Sequence, residues 1–310
     1  MPELPEVETV RRGLNRVTLH QIIQGGEVRL ERTVSHPVSV VDFLANLQGW
    51  AIAHWYRRGK YLLAELVQAS EESIVEIAKN GMANGSKTLD PMGLPISTSL
   101  ASAWLGVHLR MTGQLLWLDP GEPVEKHARV RLFFASGKEL RFVDQRTFGQ
   151  MWWVPPGMRP EQIITGLQRL GPEPFSEAFS VPYLYQQLKQ RQRPIKNALL
   201  DQAIVAGIGN IYADEALFLS GIRPQAGCHR LSRRQITQLH GNILKVLAAS
   251  IEANGTTFSS FRNVEGVNGN YGQIAWVYGR DGEACRTCGT SIERLKLAGR
   301  SAHFCPRCQR

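Results

Sequence analysis

Met1-Pro2-Glu3-Leu4-Pro5-Glu6-Val7-Glu8 opens the chain. With Met1 removed, Pro2 presents a secondary amine, a nucleophile that attacks an aldehyde-level carbon and gives an iminium ion. An α-amino group titrates near pH ~8, so a fraction is neutral at pH 7. Retained Met1 turns the same nitrogen into an unreactive tertiary amide. Glu3 and Glu6 place two carboxylates near the amine for acid–base work. The same residues also begin an ordinary helix, because proline suits a first turn and carboxylates suit its positive end. Val7, Val10, Leu14 and Val17 follow at helical spacing and predict a helix from about Pro5 to Arg16 under either reading.

The far end of the chain carries a second signal. Cys285 and Cys288 form one C-x2-C pair, and Cys305 and Cys308 another, with 16 residues between them. That spacing suits a four-cysteine zinc site. Four thiolates fill the tetrahedron, so one zinc ion, structural rather than catalytic, is expected. Gly289 and Gly299 mark turns, and the residues around Gly299 read as a β-hairpin. Two disulfides or free thiols are the alternatives; with no signal peptide, a reducing compartment is expected. Cys228 is left over as a buried free thiol.

The 310 residues suffice for more than one domain, and the formal charge of +9 favours an anionic partner. Nucleic acid comes first when basic residues accompany a zinc module. No membrane span or secretory signal is visible.

Short apolar runs separated by turn residues predict strands over 50–56, 61–67, 104–109, 128–134, 140–143 and 151–154, a mostly antiparallel β-sandwich. Residues 69–103 lack a sustained apolar period and read as a flexible insertion. Tyr183 to Arg191, Asn197 to Asp201, Asn210 to Ser220 and Ser232 to Asn254 read as helices; Ile236, Leu239, Ile243, Leu247 and Ile251 form the core stripe of the last. A loop rich in Gly, Ser and Asn follows from Gly255 to Gln273 and could close over a ligand.

Four motifs in register carry a family resemblance: Pro2 to Glu8, Arg57-Arg58-Gly59-Lys60-Tyr61-Leu62, Gly207-Ile208-Gly209-Asn210-Ile211-Tyr212, and the terminal cysteine pairs. The chain resembles the bacterial formamidopyrimidine-DNA glycosylases end to end, except near residues 69–103. Leu4 favours this branch over the related endonuclease VIII branch. The resemblance implies an α+β fold in three parts: an N-terminal β-sandwich over 1–172, a helix–two-turn–helix domain over 173–272 with a lesion-capping loop, and a zinc finger over 273–310. It implies excision of oxidised purines, chiefly 8-oxoguanine and formamidopyrimidines, from duplex DNA lying in a cleft, followed by β,δ-elimination. It also implies a monomer in the bacterial cytoplasm, associated with the nucleoid.

Carried over residue by residue, the resemblance assigns catalysis to Pro2 as amine, Glu3 as proton donor, Lys60 in β-elimination and phosphate binding, and Arg300 at the lesion phosphate. A guanidinium is a poor proton donor, so clamping is the safer role for Arg300. The target carbon is inaccessible in a stacked duplex, so the nucleotide flips out. Met111, Arg146 and Phe148 match the wedges that fill the hole, and arginine can also read the orphaned base. His127, Lys196 and Asn210 match phosphate contacts, Glu6 belongs with the DNA-facing set, and Tyr271 lies in the capping loop. Gln145 and Thr147 stand where many relatives have Pro and Arg, which leaves opposite-base preference open. An oxidised-pyrimidine glycosylase, a non-catalytic lesion binder and a metal-dependent nuclease are the alternatives. The last is disfavoured because the expected zinc has no open position.

Overall fold

The computed structural model describes residues 2–69, 102–256, 264, 266 and 269–310. The expected insertion lies almost wholly outside the described residues, as does much of the expected capping loop. The chain forms two compact units. One holds Glu6–Gln168 with Met1–Pro2 and Thr257–Gly269; the other holds Arg169–Thr256 and Asn270–Arg310 with Glu3–Pro5.

In the first unit the strands are β1 (Ile23–Val28), β2 (Val34–His36), β3 (Trp50–Arg58), β4 (Tyr61–Gln68), β5 (Ala103–His108), β6 (Gly113–Leu118), β7 (Ala128–Phe134), β8 (Glu139–Asp144) and β9 (Gln150–Val154). They build a four-stranded sheet in the order β1-β7-β8-β6 and a five-stranded sheet in the order β2-β9-β5-β4-β3. All pairings are antiparallel except β2 with β9. Strand β7 alternates buried and half-buried positions along its length, the period that puts one face of a sheet on a core. One buried cluster draws on both sheets, with Ile52, Trp55 and Leu62 from one and Val130, Leu132 and Phe142 from the other. The helix Leu4–Val17 adds Val7, Val10 and Leu14 to it. The expected sandwich is therefore present. Strands β1, β2 and β6 and the helix Val40–Leu47 extend beyond the elements expected from sequence.

The second unit is helical, with Val181–Lys189, Ile195–Leu199, Asn210–Leu219 and Arg233–Glu252. Ser232 and Gln235 form a capping box at the start of the longest helix, satisfying N–H groups that a helix end leaves without partners. Ile236, Leu239, Ile243 and Leu247 are buried from that helix, as expected; Ile251 is not in the buried cluster. β10 (Glu293–Leu297) and β11 (Arg300–Phe304) pair as the hairpin. Ala298 and Gly299 turn it with φ of 45° and 82°, the left-handed pair that matches strand twist.

Candidate functional site

Pro2 is buried at the start of the first unit. The helix that follows carries Glu6, 1% exposed, and Glu8, which meets Arg57 of β3 at 3.2 Å and Arg11 at 2.8 Å. Burial alone would raise the Glu8 pKa, but Arg11, Arg57 and Arg12 outweigh it and hold the carboxyl at about 2. Arg57 also donates to the Gly59 carbonyl at 3.1 Å, which ties the β3–β4 turn to the helix. Lys60 sits on that turn, 7% exposed. His108 of β5 packs edge-on against Tyr61 at 4.5 Å. Burial, then Arg110 and Lys60, push its pKa well below the ordinary histidine value. Its Nδ1 accepts from the Arg110 N–H at 2.9 Å, so the neutral ring carries its proton on Nε2.

Two loops at one end of the four-stranded sheet carry Met111, Arg146 and Phe148. The β6–β8 pairing sets Gly113 opposite Asp144, so the loop before β6 and the loop after β8 are neighbours. Met111 is half-buried and Arg146 exposed; Phe148 is 53% exposed. The Arg146 guanidinium lies 5.2 Å from the Phe148 ring centre. Such an exposed aromatic bearing a cation is poorly explained by core packing. Arg32 donates to the Thr147 hydroxyl, and Arg110 to Gln150 at 2.6 Å; neither arginine stood out in the sequence. His127 is half-buried, its Nδ1 3.1 Å from the Arg129 guanidinium.

In the second unit, the Asn210–Leu219 helix begins at Gly209 with no side-chain cap of its own. Glu3 supplies one: its carboxylate accepts from the Ile211 N–H at 3.0 Å and the Tyr212 N–H at 3.5 Å. These are donors that a helix start leaves unpaired, and an anion there also meets the positive end of the helix dipole. The Leu4 N–H donates to the Gly207 carbonyl at 3.0 Å. A Cβ at position 209 would lie 2.2 Å from the Glu3 carboxyl carbon, and one at 207, where φ is +89°, 2.6 Å from Leu4. Gln202 pins the turn by accepting from the Gly207 N–H at 2.9 Å and donating to the Ile208 carbonyl at 2.8 Å. The Gly-Ile-Gly-Asn motif is thus a socket for residues 3 and 4.

Lys196, matched above to a phosphate contact, has a side chain with 0% exposure, paired with Asp214 at 2.6 Å. Its ammonium also donates to the Ser301 carbonyl at 2.5 Å. Burial lowers its pKa, with Asp214 opposing. Asp214 accepts in turn from the His303 N–H at 2.9 Å, and Asn210 donates to the Ser301 hydroxyl at 3.3 Å. Arg300, exposed, stands next to Ser301 at the start of β11. Tyr271 is 3% exposed, edge-on to Tyr212 at 5.5 Å, with its hydroxyl 3.4 Å from Glu215; its ring belongs to the core of this unit. Glu215 is fully buried and accepts from three successive backbone N–H groups, Trp276, Val277 and Tyr278, at 2.8, 2.9 and 3.0 Å. Burial raises its pKa against those three bonds.

The sulfurs of Cys285, Cys288, Cys305 and Cys308 all lie within 4.8 Å of one another, with contacts of 3.5 and 3.9 Å. A tetrahedron with metal–sulfur bonds of ~2.3 Å has edges of ~3.8 Å, so the donor set fits one zinc ion with no open position. Backbone N–H groups of Thr287 and Cys308 point at Cys285 and Cys305 sulfurs, each at 3.4 Å, as thiolates require. Gln309 fastens the knuckle, accepting from the Cys305 N–H and donating to the Ile222 carbonyl, both at 2.8 Å. Cys228 is buried and free, as expected.

Comparison with known proteins covers every part of the chain. Residues 1–151 match the formamidopyrimidine-DNA glycosylase N-terminal domain, 170–262 its H2TH domain, and 282–310 the zinc finger found in FPG and IleRS. Formamidopyrimidine-DNA glycosylase of Acaryochloris marina is 58% identical over all of this chain and 99% of its own length. That of Nostoc sp. is also 58% identical, over the whole of both chains. MutM (Fpg) from Thermus thermophilus superimposes with a TM-score of 0.79 at 36% identity, covering 99% and 98% of the two chains. Lactococcus lactis Fpg in complex with DNA containing an abasic site gives a TM-score of 0.81 at 32% identity, covering 99% of each.

Proposed function

Because the chain belongs to the formamidopyrimidine-DNA glycosylase family, and so is a DNA glycosylase of oxidised-base repair, we propose that it is bifunctional and cuts the strand it has cleared. The Pro2 nitrogen bonds to C1′ of the flipped nucleotide, and the C1′–base bond breaks with its electron pair leaving on the base, which takes up a proton. The proton that the amine gives up passes to the Glu3 carboxylate, which delivers it to the ring oxygen as the sugar opens, leaving an iminium ion. The iminium acidifies the C2′–H; loss of that proton expels the 3′ phosphate, and a second elimination expels the 5′ phosphate. Water then frees the amine.

The observation that supports this reading is the fixing of Glu3, adjacent to Pro2, on the Ile211 and Tyr212 N–H groups. A carboxylate seated by two backbone donors is held by the fold rather than by its own rotamer preference, as an acid–base group must be. Lys60 assists β-elimination and Arg300 clamps the lesion phosphate. Asn210, His127 and Glu6 serve the DNA-facing surface. Lys196 serves it indirectly, by holding Ser301 beside Arg300. Met111, Arg146 and Phe148 fill the vacated stack. Tyr271 supports the capping loop from within the core. The zinc ion is structural. The preferred lesions are oxidised purines in duplex DNA; the protein acts as a monomer on the bacterial chromosome in the cytoplasm. Residues 1–172, 173–272 and 273–310 act as three functional parts.

Borohydride trapping on a duplex carrying 8-oxoguanine opposite cytosine, with mass mapping of the cross-linked peptide, tests the mechanism. An adduct on Pro2 is expected. A folded, zinc-loaded protein lacking Met1 that gives no adduct on this duplex or on an abasic one refutes it.

A further inference from the structure

Asp144 ends β8 with 1% exposure and has no place in the roles above. Its carboxylate touches both wedge-bearing loops. One oxygen accepts from the Thr112 hydroxyl, the other from the Gly149 N–H at 2.7 Å. The Thr112 oxygen in turn accepts from the Arg146 N–H at 2.9 Å. Its hydroxyl proton and one lone pair are therefore both engaged, and the chain Gly149–Asp144–Thr112–Arg146 closes across the gap between the loops. Each contact falls at or next to a wedge residue: Thr112 follows Met111, Arg146 is itself one, and Gly149 follows Phe148. Both loops also carry a non-glycine residue with positive φ, Arg110 at 53° and Thr147 at 59°. Such conformations persist only when their surroundings over-determine them.

We propose that Asp144, acting through Thr112, is a positioning residue that makes the two loops one body, so that Met111, Arg146 and Phe148 enter the duplex together. The inference rests on the wedge reading. It follows from the physics of the insertion: a wedge that fills a flipped-out position must be in place before the stack recloses, and a loop free to yield gives way instead. The Gly149 bond is buried and the Thr112–Asp144 bond part-buried, so loss of the Thr112 hydroxyl leaves the Asp144 carboxylate short of a donor.

The test exploits substrates that differ in needing the wedge. A duplex with 8-oxoguanine opposite cytosine has a stack to open and an orphaned base to hold. A single strand with an abasic site has neither, yet calls for the same amine chemistry. Thr112→Val keeps the side-chain shape and removes the hydroxyl; Thr112→Ser restores it. Single-turnover rates are measured on both substrates for each variant and the parent. Thr112→Val is expected to lower the ratio of duplex excision to single-strand scission about tenfold, the order expected for one hydrogen bond to a carboxylate. Thr112→Ser should return the ratio to within about twofold of the parent's, and discrimination against other opposite bases should weaken with Val and recover with Ser. An unchanged ratio for Thr112→Val, whether both rates hold or both fall together, overturns the inference. If the parent protein forms no trappable adduct on either substrate, the amine mechanism fails first and the inference with it, a result distinct from an unchanged ratio.

Discussion

Replacing Gly209 by alanine tests the socket most directly. Gly209 has φ −133° and ψ −160°, an extended conformation open to any residue, so its glycine is required by space alone. The added methyl carbon would sit 2.2 Å from the Glu3 carboxyl carbon and 2.4 Å from one of its oxygens. The backbone cannot yield easily, because Leu4 and Gly207 are hydrogen-bonded at 3.0 Å. The Glu3 side chain must therefore leave, and its bonds to the Ile211 and Tyr212 N–H groups go with it. A hydrogen bond to a charged group contributes about 1.5–3 kcal/mol; the one at 3.5 Å is long and contributes little. With strain from residual overpacking, the loss is about 2–4 kcal/mol. For a domain of this size that lowers the melting temperature by roughly 5–15 °C. Calorimetry on Gly209→Ala, Glu3→Ala and the double variant decides the cause. In the Glu3→Ala background the clash is absent, and the alanine should cost no more than ~1 kcal/mol, the ordinary N-cap difference. An equal cost in both backgrounds would refute the close-approach argument. Base excision by Gly209→Ala should fall with the displaced carboxylate.

Three further outcomes are expected. Because the Glu8 carboxyl titrates at about 2 rather than 4.5, its ion pairs contribute stability that is fully present above pH ~4.5 and disappears as pH falls toward 2, ~3 kcal/mol in order of magnitude; the gap in melting temperature between the parent and Glu8→Gln should narrow steadily below pH 5, and a constant gap would contradict it. Asp214→Asn leaves the Lys196 ammonium buried with a weakened partner, a change of about 3–5 kcal/mol if the charge stays uncompensated; thermal unfolding should show this, while Asp214→Asn with Lys196→Met should recover part of it. Cys305→Ser should release zinc and disorder the hairpin, read by metal analysis and by loss of DNA affinity; full zinc content with parental affinity would sink the structural role.

Much of the fold was legible because its signals are local. The two cysteine pairs, the apolar stripe of the longest helix, and strands β3, β4, β5, β7, β8 and β9 each announce themselves within a few residues. β1 did not, since Gly25 and Gly26 dilute its apolar pattern and Gly26 lies against the Arg131 carbonyl of β7. The site was legible through motifs, but the reasons for those motifs were not. Glu3 caps a helix more than two hundred residues away, and no window of sequence contains both partners. Lys196 reads as a phosphate contact; only the fold reveals that Asp214 and the Ser301 carbonyl hold its ammonium. Tyr271 reads as a loop residue because its partners, Tyr212 and Glu215, come from a distant helix. Asp144 lies just past the strand expected over 140–143, and its bonds to Thr112 and Gly149 exist only once β6 and β8 are in register.

The Glu215 anchor has a consequence for how the chain can diverge. It grips positions 276, 277 and 278 by their main-chain N–H groups, which every amino acid but proline provides. Side chains there can drift with their own packing while the anchor stays intact. Selection at this joint should thus appear as one invariant acid facing a stretch of variable letters in which proline alone is missing.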